Sequence, residues 1–367
     1  MSGLMRLFVQ HHGRNALVTG LVVSMLMLAG TGCSASGANI PAATGTPTST
    51  SITHRQTKDL LTYHGHSDRA TAVAWSPDGK YVVSGSLDKT VQVWSATTGK
   101  ARLIYRGHTD AIVAVAWSPD GRYIASSSLD NTIQVWDSST GARITTYRGH
   151  KLPAQTLSWS PDSRSIVSGS PDQTAQVWEA MTGKAILSYR GHSAAVTTVM
   201  WSPDGKRIAS GSVDTKVQVW DATSGKTLLT FRGHKNQVTS LAWSPDSTSI
   251  VSGSFDKTVQ VWDASSGKVR YGYHGYNVAV ARVDNSKGVL PDLIFFVAWS
   301  HNGKRIAAVS MEYCGDECAV VMTWDAQTGK HFVFYPDLPV YAFAWSPDDT
   351  RFASAIGLSD VQIALVP

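Results

Sequence analysis

The sequence predicts an all-β protein: a seven-bladed β-propeller with four antiparallel strands per blade, closed by the N-terminal strand pairing with the C-terminal blade. Three observations carry this expectation. A motif of the form GH...VxxVAWSPDG...SGSxDxTVQVWDAxTGK recurs five times at a spacing of 42 residues, with His66, His108, His150, His192 and His234 opening the copies. No window of about 12 residues carries a helical apolar period free of Gly or Pro. The chain ends are also out of phase with the repeat, one strand in excess at the front and one short at the back.

Residues 1–32 read as an export leader. Arg6 and Arg14 flank a short polar region, and the uncharged run ALVTGLVVSMLMLAG follows before Thr31, Gly32 and Cys33. That run has 15 residues, below the roughly 17 to 25 of a permanent membrane span. The segment AGTGC at Ala29–Cys33 resembles the end of a bacterial lipoprotein signal peptide, although Gly30 stands where that family places Leu, Val or Ile. The resemblance implies cleavage before Cys33 and a lipid on it, hence an exported, membrane-anchored lipoprotein. The competing reading is an ordinary leader, cleaved or retained, with an incidental cysteine. Residues 33–58 are expected to act as a tether, because Ser, Thr, Ala, Gly and Pro dominate them and cannot build a core. A flexible chain of 25 residues (34–58) reaches roughly 25 to 30 Å.

The folded body is expected over residues 59–367. Its 43% hydrophobic composition in the full chain excludes wholesale disorder, and three cysteines in 367 residues are too few to staple it. From Asp59 onward 28 basic side chains face 27 acidic ones, so bulk charge offers no reason to hold nucleic acid. Within each copy, short apolar stretches such as TAVAWS, KYVVSGS, TVQVWS and ARLIYRG alternate with Pro-Asp-Gly, Asp-Lys-Thr and Thr-Gly-Lys turns. They read apolar on both faces, as sheets sandwiched between like sheets should.

Two further copies of the AWS strand, at Trp299 and Trp345, bring the count to seven. The sixth unit is enlarged: Tyr276 to Trp299 spans 23 residues where the other copies have nine. The seventh stops after its third strand, DVQIALVP, while DLLTYHG at residues 59–65 matches a fourth strand without a unit of its own. Pairing the two ends leaves no orphan sheet edge.

The residues GH, AWSPDG, SGSxD and VQVWD resemble the WD repeat, or beta-transducin-like, propeller family over residues 59–367. The resemblance implies a structural network in each of five units. Its members would be His66, Ser84, Asp88 and Trp94; His108, Ser126, Asp130 and Trp136; His150, Ser168, Asp172 and Trp178; His192, Ser210, Asp214 and Trp220; and His234, Ser252, Asp256 and Trp262. Units six and seven depart from it, with Tyr276 nearest a His position and Leu358 and Ala364 where Asp and Trp should stand.

Five His and five Asp also suit metal binding or proton transfer. Equal spacing argues against both, because it deals one pair to each blade, whereas a site needs groups converging on one point. Neither GxxxxGK[ST] nor GxSxG occurs. No catalytic residue, metal or cofactor is expected. Cys314 and Cys318 fall in the enlarged turn of unit six, where export favours a local disulfide over free thiols or a metal or redox role.

Function is sought where the copies differ. Leu87, Leu129, Pro171, Val213 and Phe255 precede the turn Asp, and Lys151 and Lys235 follow GH. The resemblance places both positions on a partner-docking face, with Phe255 an anchor beside Lys235 and Lys257; the bland alternative is incidental surface drift. Residues 277–296, with Leu290, Leu293, Ile294, Phe295 and Phe296, form the second candidate, an insertion expected either to cover a blade edge or to grasp a partner. The expected function is a non-catalytic, monomeric protein-interaction scaffold with protein partners, held at a membrane through Cys33. A propeller enzyme or a carbohydrate-binding module using the central face are the alternatives.

Overall fold

Local turn chemistry sets the strand boundaries. In the first copy Ala70–Trp75 runs into Ser-Pro-Asp-Gly, where Gly79 takes φ +68° and its N–H bonds the Ser76 carbonyl at 2.9 Å. Tyr81–Ser86 then enters a tighter turn in which Lys89 is left-handed at φ 69°. A lysine accepts this conformation because the turn is over-determined: Asp88 receives both the Thr90 N–H (2.9 Å) and the Thr90 hydroxyl (2.6 Å). Asn131, Gln173, Thr215 and Lys257 repeat the left-handed residue in the next four copies. Val91–Ser95 and Ala101–Tyr105 complete the sheet.

The computed structural model describes residues 53–54, 59–274, 279–281, 287–289, 293–311, 319–335, 340–356 and 359–365. Among these lie seven blades. Blade one is the sheet just given, and blades two to five occupy residues 112–147, 156–189, 196–231 and 238–274. Blade six is built from Leu293–Trp299, Arg305–Met311, Ala319–Asp325 and Val333–Tyr335. Blade seven takes Val340–Trp345, Arg351–Ile356 and Asp360–Leu365 from one chain end and Asp59–Tyr63 from the other. The closing pair is antiparallel, with Leu61 opposite Ile363, Thr62 opposite Gln362 and Tyr63 opposite Val361. The first strand of each blade is innermost and neighbours those of the flanking blades, Val340–Trp345 lying beside Ala70–Trp75 to complete the circle.

The core lies between blades. Val82 and Val83 are both fully buried although they point to opposite faces of their sheet, which follows from apolar residues on successive positions meeting a neighbour on each side. Side chains also cross the joints: the Thr71 hydroxyl donates to the Ile112 carbonyl (2.7 Å), and the Trp75 indole N–H to the Ala344 carbonyl (3.1 Å). Blade seven solves its packing differently. Phe352 stands opposite Ala364, both fully buried, where blade one pairs Val82 with Trp94, so bulk moves from one strand to its neighbour.

One sequence expectation changes here. Residues 293–296 are no insertion reaching for a partner: they begin the innermost strand of blade six, with Ile294 and Phe295 buried. The extra length lies before it, where Ala279–Ala281 pairs with Lys287–Val289 in a hairpin. Cys33, Cys314, Cys318, Tyr276, Leu290 and Leu358, on which the sequence raises expectations, lie outside the described residues.

Candidate protein-interaction face

Each GH segment leaves an outer strand and delivers its histidine to the sheet of the next blade. His66 Nδ1 sits 2.9 Å from Asp88 Oδ2, and Nε2 lies 2.8 Å from Ser84 Oγ. The Trp94 indole N–H donates to the same Ser84 oxygen at 3.2 Å. An ionised Asp accepts only, so Nδ1 carries the proton toward it. In the neutral tautomer Ser84 then donates to Nε2 and its lone pair takes the indole proton. A second strand, a turn and a third strand are thereby tied to one imidazole.

The arrangement recurs with little change. His108 meets Asp130 at 2.9 Å and Ser126 at 2.8 Å, with Trp136 on Ser126 at 3.3 Å. His150 meets Asp172 and Ser168 at 3.0 and 2.8 Å, with Trp178 on Ser168. His192 meets Asp214 and Ser210 at 3.0 and 2.9 Å, with Trp220 on Ser210. His234 meets Asp256 and Ser252 at 3.0 and 2.8 Å, with Trp262 on Ser252. Blade four alone of these five has Lys216 where the others carry a Thr, and the Asp214 carboxylate meets its ammonium at 3.9 Å in place of a hydroxyl.

Burial works against charge on these carboxylates, but the hydrogen bonds outweigh it. Those from His66 and Thr90 hold Asp88 well below the usual carboxylate range, and Asp130, Asp172 and Asp214 are lowered in the same way by their own histidines. Asp256 is lowered to about 2 against the same burial, chiefly by His234 and Thr258.

Residues that periodicity alone did not single out extend the network between blades. Tyr63, on the closing strand of blade seven, stacks flat on Trp94 of blade one (4.7 Å, 7°) and donates to Gln92 Oε1 at 2.5 Å. Tyr105, Tyr147 and Tyr189 do the same for Gln134, Gln176 and Gln218, and stack on Trp136, Trp178 and Trp220. The signal lies in the sequence: Tyr or Phe before RGH or HGH, and Gln before VW, recur at the same 42-residue spacing. Phe231 keeps the stack on Trp262 without a hydroxyl. Polar atoms are stranded where the motif lapses, as they also are at Ser127, Gln155 and Trp201 of blades two to four. Ser354 Oγ and Gln362 Oε1 of blade seven and Tyr273 Oη facing blade six are buried without a hydrogen-bond partner among the described residues. Met322 stands where Gln92 stands in blade one, which deprives Tyr273 of its acceptor.

Every histidine and aspartate of the five networks is thus bound within one blade, and none is turned toward a common point. The network is a clamp for the turns above it. It fixes the backbone of the residue after GH, since the N–H groups of Ser67, Thr109, Lys151, Ser193 and Lys235 all bond the turn Asp at 2.8 to 3.1 Å. The residue before that Asp is pinned to the same end of the blade: Leu87 N–H bonds Arg69, Leu129 bonds Ala111, Val213 bonds Ala195 and Phe255 bonds Gln237.

These variable residues therefore share one face, but they are not equally available. Leu87, Leu129, Val213 and Lys257 are half-buried, and Lys151 and Lys235 are exposed. Phe255 is corrected. It is 7% exposed, its ring edge-on to Phe295 of blade six (5.0 Å, 64°), so it cements two blades and offers no anchor to a partner. Arg69 over the Tyr341 ring at 4.7 Å adds a cation–π pair where blades one and seven meet.

The WD domain, G-beta repeat (WD40) pattern matches residues 57–95, 99–137, 141–179, 183–221 and 225–263, together more than half of the chain. The chain belongs to the WD40 repeat family. Each matched WD40 stretch begins at or just before an outer strand and ends with the third strand of the following blade, so the sequence repeat straddles two blades. Blade six and the three strands that blade seven takes from residues 340–365 lie beyond the matched stretches. Among curated proteins, 44 residues are 48% identical to the ribosome biogenesis protein BOP1 homologs of Drosophila grimshawi and Drosophila ananassae, and 46% identical to that of Drosophila erecta. The shared segment is 12% of this chain and 6% of each of those proteins. The similarity is that of one WD40 repeat, and the chain spans a small fraction of those relatives' length.

Proposed function

We propose that this WD40 propeller is a non-catalytic scaffold that docks protein partners on its GH face, and that it works outside the cytoplasm, held at a membrane by a lipid on Cys33. The observation that carries the docking reading is the contrast just described: five clamps of nearly constant geometry hold up residues that differ from blade to blade. A rigid frame lowers the entropy lost on binding, and varied Leu, Val and Lys side chains supply selectivity. The alternatives need convergent ionisable groups or exposed stacking rings, and the imidazoles, carboxylates and third-strand indoles of the five networks are already engaged within the sheets.

The docking reading is tested by capture from native membranes, comparing the wild type with Leu87→Asp/Leu129→Asp/Val213→Asp. All three side chains are half-buried at turns, so the variant should keep its circular dichroism spectrum. A partner recovered reproducibly with the wild type and lost at least tenfold with the variant is the expected result; equal recovery with both would refute docking on this face. The anchor is tested separately. A clickable fatty acid fed to expressing bacteria should label the wild type and leave Cys33→Ser unlabelled, and equal labelling would remove the lipid from the reading.

A further inference from the structure

Among the described residues, blade six is the blade that carries a fifth strand. Thr53–His54 runs parallel along its outer edge, with Thr53 opposite Val333 and His54 opposite Phe334. Five residues on, Asp59–Tyr63 enters blade seven antiparallel to Asp360–Leu365, and Tyr63 reaches Trp94 of blade one. Thr53–His54 and Asp59–Tyr63 thus engage three successive blades across the place where the two chain ends meet. Five Cα steps separate His54 from Asp59, about 17 Å at full extension, which limits how far the outer edges of blades six and seven can part.

Blade six has cause to use such a strand. Its own fourth strand, Val333–Tyr335, has three residues where those of blades one to five have five or six. It also has Ala308 in place of the network serine. A short edge with unpaired backbone groups accepts an added strand readily.

We propose that residues 53–54 form a detachable strap on the outer edge of blade six, which fixes where the preceding segment leaves the propeller independently of the ring-closing strand. Two paired residues open locally far more easily than the five-residue closing strand, whose tyrosine is locked between rings. The consequence for anchoring rests on the Cys33 reading. A pull from that end reaches the rim of blade six first, and the strap yields before the ring does.

Amide hydrogen exchange on the full chain tests this, comparing the wild type with Thr53→Pro/His54→Pro, which removes both backbone donors, and with a deletion of residues 50–56. Both variants should speed exchange at least tenfold at those Val333–Tyr335 amides that do not bond Val321–Thr323. Amides of Asp59–Tyr63 and Asp360–Leu365 should keep wild-type rates. Unchanged exchange at Val333–Tyr335 would overturn the strap, and acceleration spreading to Asp59–Tyr63 would overturn its independence. The same comparison in a Cys33→Ser background gives the same result if the strap is right and the lipid reading wrong, so the two fail separately.

Discussion

Removing residues 59–65 will lower the melting temperature by about 10 °C or more and turn the protein toward aggregation. The deletion strips blade seven of its outer strand and takes away Tyr63, which is 5% exposed, stacked on Trp94 and bonded to Gln92. Truncating a buried aromatic of this kind costs about 3 to 5 kcal/mol, and at this chain size each kcal/mol is worth about 2 to 4 °C. The exposed edge of Asp360–Leu365 then offers unpaired N–H and C=O groups to other molecules. Tyr63→Ala is the milder companion and should show the stability loss without the aggregation. Differential scanning calorimetry with light scattering checks both, and a deletion variant melting within two degrees of the wild type would show that the ring does not depend on this closure.

Asp130→Ala will destabilise by about 1 to 3 kcal/mol for each buried donor it leaves without its acceptor. His108 loses its acceptor, the Thr109 N–H and the Thr132 hydroxyl lose theirs, and the turn holding Asn131 at φ 67° loses the interactions that fix it. Asp130→Asn keeps the shape and should recover part of the loss. The same carboxylates set the response to acid. A depressed pKa contributes stability that is complete above the unfolded value of about 3.9 and is lost as pH falls through the folded value. With Asp88, Asp130, Asp172 and Asp214 lowered and Asp256 brought to about 2, the midpoint in urea should fall steeply as the pH drops from about 4 toward 2. Asp130→Ala should show a shallower acid slope than the wild type. A wild-type midpoint independent of pH between 4 and 2 would contradict the role given to the five networks.

Blades one to five were readable because each repeats its own turns, and a turn is a local matter. Ser76-Pro77-Asp78-Gly79 closes a hairpin by contacts within six residues, and the next four copies use the same Ser-Pro-Asp start. The four-residue network within a blade followed from the resemblance, but its extension through Tyr63 and Gln92 did not. Those two residues lie 29 apart in different blades, and each taken alone looks like ordinary strand composition. Residues 293–296 were misread for a different reason. A count of 23 residues in place of nine shows that unit six is longer, and it does not say whether the surplus precedes or follows the strand. In blade seven the sequence shows the loss of tryptophan at Ala364 but not its compensation, because Phe352 on the adjacent strand fills the space.

The order of strands, the seven units, the turn residues and the need for the chain ends to meet were all determined by the amino-acid sequence, because each depends on periodicity or on neighbours within a few residues. Exposure was decided only by the tertiary structure. Leu129 and Phe255 occupy the same place in the repeat, yet one is half-buried on the face and the other is sealed against Phe295 of the next blade. A residue at the rim of a blade is covered or left open by side chains of a neighbouring sheet some 40 residues away. No local pattern carries that information, which is why the exposure of the face proposed for docking emerges only when the blades are packed together.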